Sequence, residues 1–150
     1  MHDVGKIGIP DRILLKPGPL TRGERTEMER HTVIGHEILS GSDSSLLNLA
    51  ASIALTHHER VDGKGYPHHR RGDDIPEAGR IVAVADVFDA LINDRVYRRA
   101  LPLADAIKIM RRGRGKQFDA TILDALLDHL DDALSVQRET ADTRGGDGVV

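Results

Sequence analysis

The 150-residue sequence contains no cysteine, and this absence excludes several kinds of chemistry at once. Without thiols there is no disulfide framework, no thiolate zinc site and no cysteine nucleophile. A metal site would have to use imidazole and carboxylate ligands, of which the chain has 8 His and 24 Asp or Glu. The lack of cysteine also fits a reducing compartment.

Long apolar runs and aromatic residues are scarce as well. No run approaches the roughly 20 residues of a membrane-spanning helix and the first residues carry no secretory pattern, so we expect a cytoplasmic protein without a membrane segment. The formal net charge of −3 argues against bulk binding of nucleic acid, and two Tyr and two Phe provide no stacking surface for single strands. Local basic clusters such as RVYRR remain candidates for binding small anions.

The chain does contain a series of helix patterns, with no alternating strand pattern. Thr21 is a predicted N-cap, with Glu24 as its capping-box partner, for a helix that runs to Leu39 and is ended by Gly41. Further helices are predicted at 46–57, 76–93, 102–112 and 119–134, with a long ordered loop at 59–76. The predicted fold is therefore all-α, with one domain at 1–134 and a disordered polar tail at 135–150.

Asp86 lies in the segment IVAVADVFDALI, a predicted helix that is apolar on nearly every face and should be buried nearly all round. A buried carboxylate is normally paired, strongly hydrogen-bonded or bound to a metal ion. Capping of a loop or pairing with Arg95 accounts for Asp86 as well as metal binding does. Asp89, one turn later, is expected to make a structural bond to loop backbone.

The doublet His57-His58 stands where a predicted helix ends and a glycine-rich loop begins. Adjacent helical residues point about 100° apart, so two such imidazoles suit a site wide enough for two metal ions. Surface histidines are common, and the doublet alone does not decide the question. His2-Asp3 repeats the same geometry with a carboxylate, which can bridge two cations through its two oxygens.

Two further histidines, His31 and His36, stand five positions apart on one predicted helix and cannot both face one site. We favour His31 as a ligand, because Ile34 and Gly35 place its face on the core-facing stripe. The remaining histidines are expected at the surface, namely His36, His68, His69 and His129. Lys6 is either a solvated lysine or a positive charge held over a substrate phosphate. His-Asp, His, His-His and Asp together form an N/O ligand set suited to Fe, Mn, Co or Zn.

Several motifs occur in a fixed order along the chain: HDVGKIGIPD, His31, HHERVDGKGYP, VADVFDALINDRVYRRA and GKQFDA. Over about residues 2–130 they resemble the HD-GYP domain, a bacterial branch of the HD-domain metal-dependent phosphohydrolases. The resemblance implies an HD-domain helical bundle with a long GYP loop. It also implies a phosphodiesterase that hydrolyses cyclic di-GMP to pGpG or GMP, with two or three divalent metal ions, most often Fe or Mn.

Carried over position by position, the resemblance assigns six metal ligands, with Asp3 bridging two ions. They are His2, Asp3, His31, His57, His58 and Asp86. Asp3 and Lys6 would act in catalysis, and the substrate phosphates would be bound by Lys6, Arg95 and Arg98. Pairing of Arg95 with Asp89 or Asp94 is the structural alternative.

The resemblance also gives a role to the GYP loop, which comprises Asp62, Gly63, Gly65, Tyr66 and Pro67. The loop would shape the mouth of the pocket and offer a contact surface for diguanylate cyclase domains. The other interpretation of Gly65 and Pro67 is that they only set the turn.

The family pattern has a helix before the His-Asp pair that supplies one more His ligand, and this sequence lacks that helix. An ion shared by His2, Asp3 and Asp86 is therefore expected to lack one ligand, while the ion held by Asp3 and the three other histidines keeps its full set. The leading hypothesis is a cyclic di-GMP phosphodiesterase. One alternative is an HD phosphohydrolase for another nucleotide, against which the GYP loop and DRVYRRA argue. The other is a truncated, catalytically impaired module that acts through protein contacts.

Overall fold

The computed structural model describes residues 1–94 and 99–136, and within these ranges the chain is helical. Two short 3-10 helices span Val4–Gly8 and Gly72–Asp74. The α-helices are α1 (Asp11–Leu14), α2 (Arg22–Glu29), α3 (His31–Leu39), α4 (Ser45–Thr56), α5 (Glu77–Ile92), α6 (Leu103–Arg112) and α7 (Ala120–Asp128). In the described ranges extended pairing is limited to isolated bridges between Asp62 and Arg71 and between Arg114 and Phe118. The all-α prediction is confirmed.

The predicted helix starts are confirmed by their caps. Thr21 N donates to Glu24 Oε2 at 2.7 Å and Glu24 N donates to Thr21 Oγ1 at 3.3 Å, which completes the capping box of α2. Asp119 Oδ1 accepts from the backbone N–H of Thr121 at 2.9 Å at the start of α7. Pro76 and Pro102 stand directly before α5 and α6.

The prediction of one helix from Thr21 to Leu39 is wrong, because the helix is interrupted at Arg30. The side chains of the next two residues bond back to the turn before the break. His31 Nδ1 donates to Met28 O at 2.7 Å, and Thr32 Oγ1 donates to Glu29 O at 2.8 Å. These bonds occupy carbonyls that a continuous helix would use for its own backbone ladder. The break places His31 at the first position of α3.

Two apolar clusters form the described core. One joins α5, α6 and α7 through seven buried residues: Val84, Phe88, Leu91, Ala106, Met110, Phe118 and Leu123. The other joins α3 to α4 through Leu39, Ala51 and Ala54, with Val4 packed against it. The second cluster packs the N-terminal 3-10 helix, α3 and α4 together, and the predicted ligands lie on or next to these elements.

Two glycines allow unusually close packing beside the site. A Cβ on Gly5 would lie 2.0 Å from His31 O and 2.4 Å from Gly35 N, so only glycine lets the N-terminal segment rest on α3. A Cβ on Gly79 would lie 2.1 Å from Thr56 Oγ1, so α5 crosses the end of α4 in direct contact. The Gly5 contact involves the predicted ligand His31, and the Gly79 contact involves Thr56, which directly precedes His57.

The end of the chain lies partly outside the described residues. Residues 130–136 are helical after a turn at 129, so helical structure continues slightly past the predicted boundary at 134. The rest of the predicted tail, 137–150, is outside the described ranges, and the division at 134 remains a prediction. In the part of the chain that the structure describes, no helix is long and apolar enough to cross a membrane.

Candidate metal centre

One compact group of ligand side chains stands out among the described residues. Asp3, His31, His57 and His58 each offer an oxygen or nitrogen, and these four atoms lie within 4.8 Å of one another. His31 Nε2 is 3.5 Å from His57 Nε2 and 3.4 Å from Asp3 Oδ1. Bonds of about 2.1 Å to a single ion place ligand atoms roughly 3–4 Å apart. The spacing and the mixed N/O chemistry therefore fit a divalent metal ion.

The four side chains come from three separate parts of the chain. Asp3 directly precedes the 3-10 helix that Gly5 allows to rest on α3, and His31 begins α3. His57 and His58 follow the last residue of α4. Because α3 and α4 pack together through the second apolar cluster, these ends are held at one point.

Hydrogen bonds fix the ring orientation of two of the histidines. His31 Nδ1 is 2.7 Å from Met28 O, and His57 Nδ1 is 3.0 Å from Ala54 O and 3.1 Å from Ile53 O. A carbonyl can only accept, so Nδ1 carries the proton in each ring and Nε2 presents a lone pair. Both Nε2 atoms belong to the four-residue group. This is the arrangement that metal-binding histidines usually adopt.

Burial keeps these imidazoles neutral, which is the form that binds a metal ion. Desolvation, together with the neighbouring imidazoles, lowers the pKa of His57 to about 4 and that of His58 to about 3. Desolvation also lowers the pKa of His31, although its bond to Met28 O opposes the effect. Both His31 and His57 are almost fully buried, at 1% and 2% exposure.

His2 and Asp86 lie beside the four-residue group. His2 Nε2 is 3.7 Å from Asp86 Oδ1 and 3.5 Å from Asp3 Oδ2. Asp3 therefore faces His31 and His57 with one oxygen and His2 with the other. The structure thus brings all six predicted ligands into one region, although their binding of metal remains a prediction.

The expected burial of Asp86 is only partly correct. Its side chain is 23% exposed, and α5 is not buried all round, since Ile81 is 48% exposed. Asp89 Oδ1 accepts from the Asn93 side chain at 2.7 Å, and no bond to its carboxylate from loop backbone occurs within 1–94 and 99–136, so the predicted partner is not found among the described residues. The apolar letters of this helix include small alanines, which leave part of its surface open to solvent.

Lys6 contacts the predicted bridging carboxylate directly. Its Nζ is 2.6 Å from Asp3 Oδ2. Partial burial would raise the pKa of Asp3, but hydrogen bonds from His2 and Lys6 hold it well below its usual range. Asp3 is therefore ionised, and Lys6 places a positive charge at the edge of the site. Arg95 and Arg98, the other predicted phosphate-binding residues, lie outside the described residues.

The GYP loop folds back onto the histidine doublet. Tyr66 N donates to His58 O at 3.2 Å, and the centre of the Tyr66 ring is 4.8 Å from that of His58. A Cβ on Gly65 would lie 2.5 Å from His58 O, so the close return requires glycine there. Gly63 N donates to Arg60 O at 2.8 Å, which closes the preceding turn. Pro67 is half-buried immediately after Tyr66.

Asp62 organises the first half of this loop. Its carboxylate accepts two hydrogen bonds from Arg60, at 3.0 and 2.8 Å, and one from Lys64 N at 3.0 Å. The bond from Arg60 is the main cause that lowers the pKa of Asp62 to about 2. Asp62 N donates to Lys116 O at 2.8 Å, which joins the loop to the GKQFDA segment.

Glu59 was not predicted as a site residue, yet it is the buried carboxylate nearest in sequence to the ligands. It is 3% exposed, and its oxygens accept from His68 N at 2.7 Å and from Arg70 N at 3.0 Å. The sequence did contain a signal, since Glu59 is a charged residue that stands between the histidine doublet at an apolar helix end and a glycine-rich loop.

The remaining histidines separate into two kinds. His68, His69 and His129 are exposed, as predicted. The surface assignment of His36 is wrong, because it is half-buried and its Nδ1 lies 3.2 Å from Ala51 O on α4. Its ring contacts the backbone of α4 from a position about 140° around α3 from His31.

A helical domain in which His-Asp, His and His-His motifs converge on a site for a divalent cation defines the class of metal-binding HD domains. The chain belongs to this family. The family model described as HD domain matches residues 1–122.

Similar proteins come from several bacteria. The chain is 45% identical over 148 residues to a probable cyclic di-GMP phosphodiesterase of Vibrio cholerae, covering 95% of this chain and 34% of that protein. It is 52% identical over 127 residues to the cyclic di-GMP phosphodiesterase response regulator RpfG of Xanthomonas campestris, covering 85% and 34%. It is 42% identical over 142 residues to 3'3'-cGAMP-specific phosphodiesterase 2 of Vibrio cholerae, covering 95% and 27%. The chain thus spans about a third of the length of such relatives.

Proposed function

We propose that this chain is a metal-dependent phosphohydrolase domain that hydrolyses cyclic di-GMP to pGpG or GMP in bacterial second-messenger signalling. The observation that carries the proposal is the group of Asp3, His31, His57 and His58, with the ammonium group of Lys6 beside it. The names of the relatives in Vibrio cholerae and Xanthomonas campestris support the choice of substrate.

The proposed cofactor is a set of two or three divalent metal ions, with Fe or Mn as the preferred metal. Asp3, His31, His57 and His58 would hold one ion, and His2 and Asp86 with Asp3 would contribute to a second. Bound there, divalent ions supply Lewis acidity and lower the pKa of a water molecule. The mixed imidazole and carboxylate donors suit these metals.

The protein's own groups would position and neutralise the substrate. Lys6, at the edge of the site, would offset charge on a phosphoryl oxygen, and Arg95 and Arg98 would bind the phosphates of the diester. No nucleophilic side chain is needed for this hydrolysis. Tyr66 and the rest of the GYP loop would form one wall of the pocket and offer a surface to diguanylate cyclase domains.

Hydrolysis of cyclic di-GMP by the purified protein with Mn(II) or Fe(II), followed by chromatography of the products, tests the proposal. We expect conversion to pGpG or GMP, and its loss in His57→Ala. His129→Ala is the matched control, because His129 is exposed and should leave turnover unchanged. If fully metallated protein with wild-type sequence gives no product, the chain is not an active phosphodiesterase. Retained binding of metal with no turnover would favour the impaired module that acts through protein contacts.

A second substrate is favoured by a specific observation, the 42% identity to the relative named as a 3'3'-cGAMP-specific phosphodiesterase. Both cyclic dinucleotides carry the same two phosphodiester linkages and differ in one base, so the metal site alone would not distinguish them. Measurement of kcat/KM for both substrates decides between these functions. A higher kcat/KM for cyclic di-GMP supports the leading proposal, and a higher value for 3'3'-cGAMP replaces it.

A further inference from the structure

His58 is held differently from the other two imidazoles of the metal site. His31 and His57 each have Nδ1 bound to a backbone carbonyl, whereas no hydrogen bond within the described residues involves the ring of His58. Its ring packs instead between two other rings, that of His57 with centres 4.1 Å apart and, on the loop side, that of Tyr66 with centres 4.8 Å apart and planes inclined by 31°. Because His57 is itself fixed by its bonds to backbone carbonyls, the Tyr66 ring is the loop-side contact that restricts the orientation of His58, where a hydrogen-bonded partner is usual.

The position of Tyr66 depends in turn on the loop on both sides of it. On the near side, Tyr66 N donates to His58 O at 3.2 Å. On the far side, the carboxylate of Glu59 accepts from His68 N at 2.7 Å and from Arg70 N at 3.0 Å. Glu59 is next to His58 in the chain, so its carboxylate closes the loop back onto its own beginning.

The cost of burying Glu59 indicates that this closure is strong. The residue is only 3% exposed, and both of the groups that donate to its carboxylate are backbone N–H groups. Replacement of one carboxylate oxygen by an amide NH2 group would leave one of these N–H groups without its acceptor. The segment at 68–70 would then be free to move, and Tyr66 with it.

We propose that Glu59 is a positioning residue of the metal site, which acts by holding the Tyr66 ring against His58. This inference rests on the proposed function only in taking His58 as a ligand. It assigns to the tyrosine of the GYP loop the role of orienting a metal ligand, and to Glu59 the role of holding the loop closed for that purpose.

Binding of Mn(II), measured by isothermal titration calorimetry on the full chain without substrate, tests the proposal. Loss of a partner that orients a metal ligand typically weakens metal binding about 10- to 100-fold. We expect this weakening in Glu59→Gln and in Tyr66→Ala. Tyr66→Phe keeps the ring and should stay within about threefold of wild type. Asp124→Asn is a matched control, because this carboxylate also accepts two hydrogen bonds, from Arg114, away from the site.

The double variant Glu59→Gln/Tyr66→Ala separates positioning from general loss of stability. If Glu59 acts through Tyr66, the double variant binds Mn(II) no more than about threefold more weakly than the weaker single variant. The proposal would be overturned if the loss of Mn(II) affinity in the double variant equalled the product of the two single losses. It would also be overturned by a folded Glu59→Gln protein that binds Mn(II) within threefold of wild type. Circular dichroism verifies folding. Should Glu59→Gln not fold, the cycle is repeated with Glu59→Asp, which keeps the charge but shortens the reach, under the same criteria.

The metal-binding experiment can contradict the positioning role of Glu59 without contradicting the proposed function, and the reverse also holds. Metal binding is measured in the absence of any nucleotide, so a protein that shows the expected pattern but hydrolyses no cyclic dinucleotide contradicts the proposed function alone. A protein that hydrolyses cyclic di-GMP while its Glu59 and Tyr66 variants bind Mn(II) normally contradicts the positioning role alone.

Discussion

Gly5 controls how closely the His2-Asp3 segment approaches α3. Replacement by alanine would place a methyl group 2.0 Å from His31 O, against backbone that belongs to the start of a helix. Relief of this overlap requires the N-terminal segment to move away, and Asp3 with it. The distance of 3.4 Å between Asp3 Oδ1 and His31 Nε2 would then increase.

We therefore expect Gly5→Ala to lower the free energy of unfolding by about 1–3 kcal/mol, the usual cost of overpacking. It should also weaken Mn(II) binding. Gly23→Ala is the control, because Gly23 lies in α2, where an added Cβ would meet no atom within 4 Å, and alanine is the better helix former by about 1 kcal/mol. Urea unfolding of both variants measures the effect. A Gly5→Ala protein as stable as wild type would show that the segment does not rest on α3 as described.

At the scale of single residues, the sequence indicated which residues are candidate ligands but not how deeply each is buried or what packs against it. His31 was chosen over His36 from helical spacing, and the structure places only His31 in the four-residue group. The same reasoning put His36 at the surface, because sequence spacing does not reveal that α4 packs on that side. Glu59 was missed, since a carboxylate that binds loop backbone has no periodicity to identify it.

At the scale of helices and loops, Arg80 connects three segments. Its Nη1 is 2.6 Å from Asp119 Oδ2 at the start of α7 and 2.9 Å from Asp73 Oδ1 in the second 3-10 helix. The side chains of Arg80 and Asp119 are each 17% exposed, so solvent screens this pair only in part. Arg80 therefore joins α5 to the segment after the GYP loop and to the helix that closes the core.

We expect Arg80→Ala to lower the free energy of unfolding by about 1.5–3 kcal/mol, the usual contribution of a hydrogen bond to a charged group. Asp119→Asn is the matched variant, because asparagine is as good an N-cap as aspartate but lacks the charge that Arg80 contacts. A double-mutant cycle by urea unfolding separates the ion pair from the cap. Independent, additive effects of the two substitutions would contradict a direct interaction.

The same ion pair has a predictable dependence on pH. Desolvation opposes ionisation of Asp119, but hydrogen bonds from Ile122 N and Arg80 outweigh it and hold the pKa below its usual 3.8. A carboxyl group with a lowered pKa stabilises the fold above that usual value and loses this contribution as the pH falls through its folded pKa. The coupling energy between Arg80 and Asp119 should therefore be constant at neutral pH and decrease below about pH 4, as measured by the same cycle in acid.

Helix starts could be predicted well, and helix interruptions could not. Thr21, Pro76, Pro102 and Asp119 each mark a start through local chemistry that is visible in the sequence. The break at Arg30 is accompanied by side-chain bonds of His31 and Thr32 to the preceding turn, and the sequence does not show which of its polar residues form such bonds at a break. The short 3-10 helix at Val4–Gly8 likewise depends on packing against α3.

At the scale of the whole molecule, metal binding and folding should be linked. Asp3, His31 and His57 come from parts of the chain that only the folded state brings together. A ligand that binds only the folded state stabilises it by about 2.7 kcal/mol when its free concentration is 100 times its Kd. We expect Mn(II) to raise the melting temperature and EDTA to reverse the rise. His57→Ala should abolish it, whereas His129→Ala should not. An equal rise in both variants would place the bound ion elsewhere.

The fold class could be predicted as a whole because each of the longer helices carries its own helical pattern, whereas the short helices at Val4–Gly8, Asp11–Leu14 and Gly72–Asp74 do not. The arrangement of the helices was not contained in those patterns. It came from the resemblance of the ordered motifs to a family, and the match of the HD domain model over residues 1–122 supports it. Residues at 95–98, which include the predicted phosphate-binding Arg95 and Arg98, lie outside the described ranges, so their contribution stays a prediction.

The contact between Gly79 and Thr56 has a consequence for the geometry of the candidate metal centre. Thr56 immediately precedes the histidine doublet, and Gly79 stands on α5, two turns before Asp86. The absence of a side chain at 79 therefore sets the distance between α4, which leads to His57 and His58, and α5, which carries Asp86. A graded series at this position, Gly79→Ala and Gly79→Ser, would widen the gap stepwise and so vary the distance between Asp86 and the histidine doublet without altering any proposed ligand.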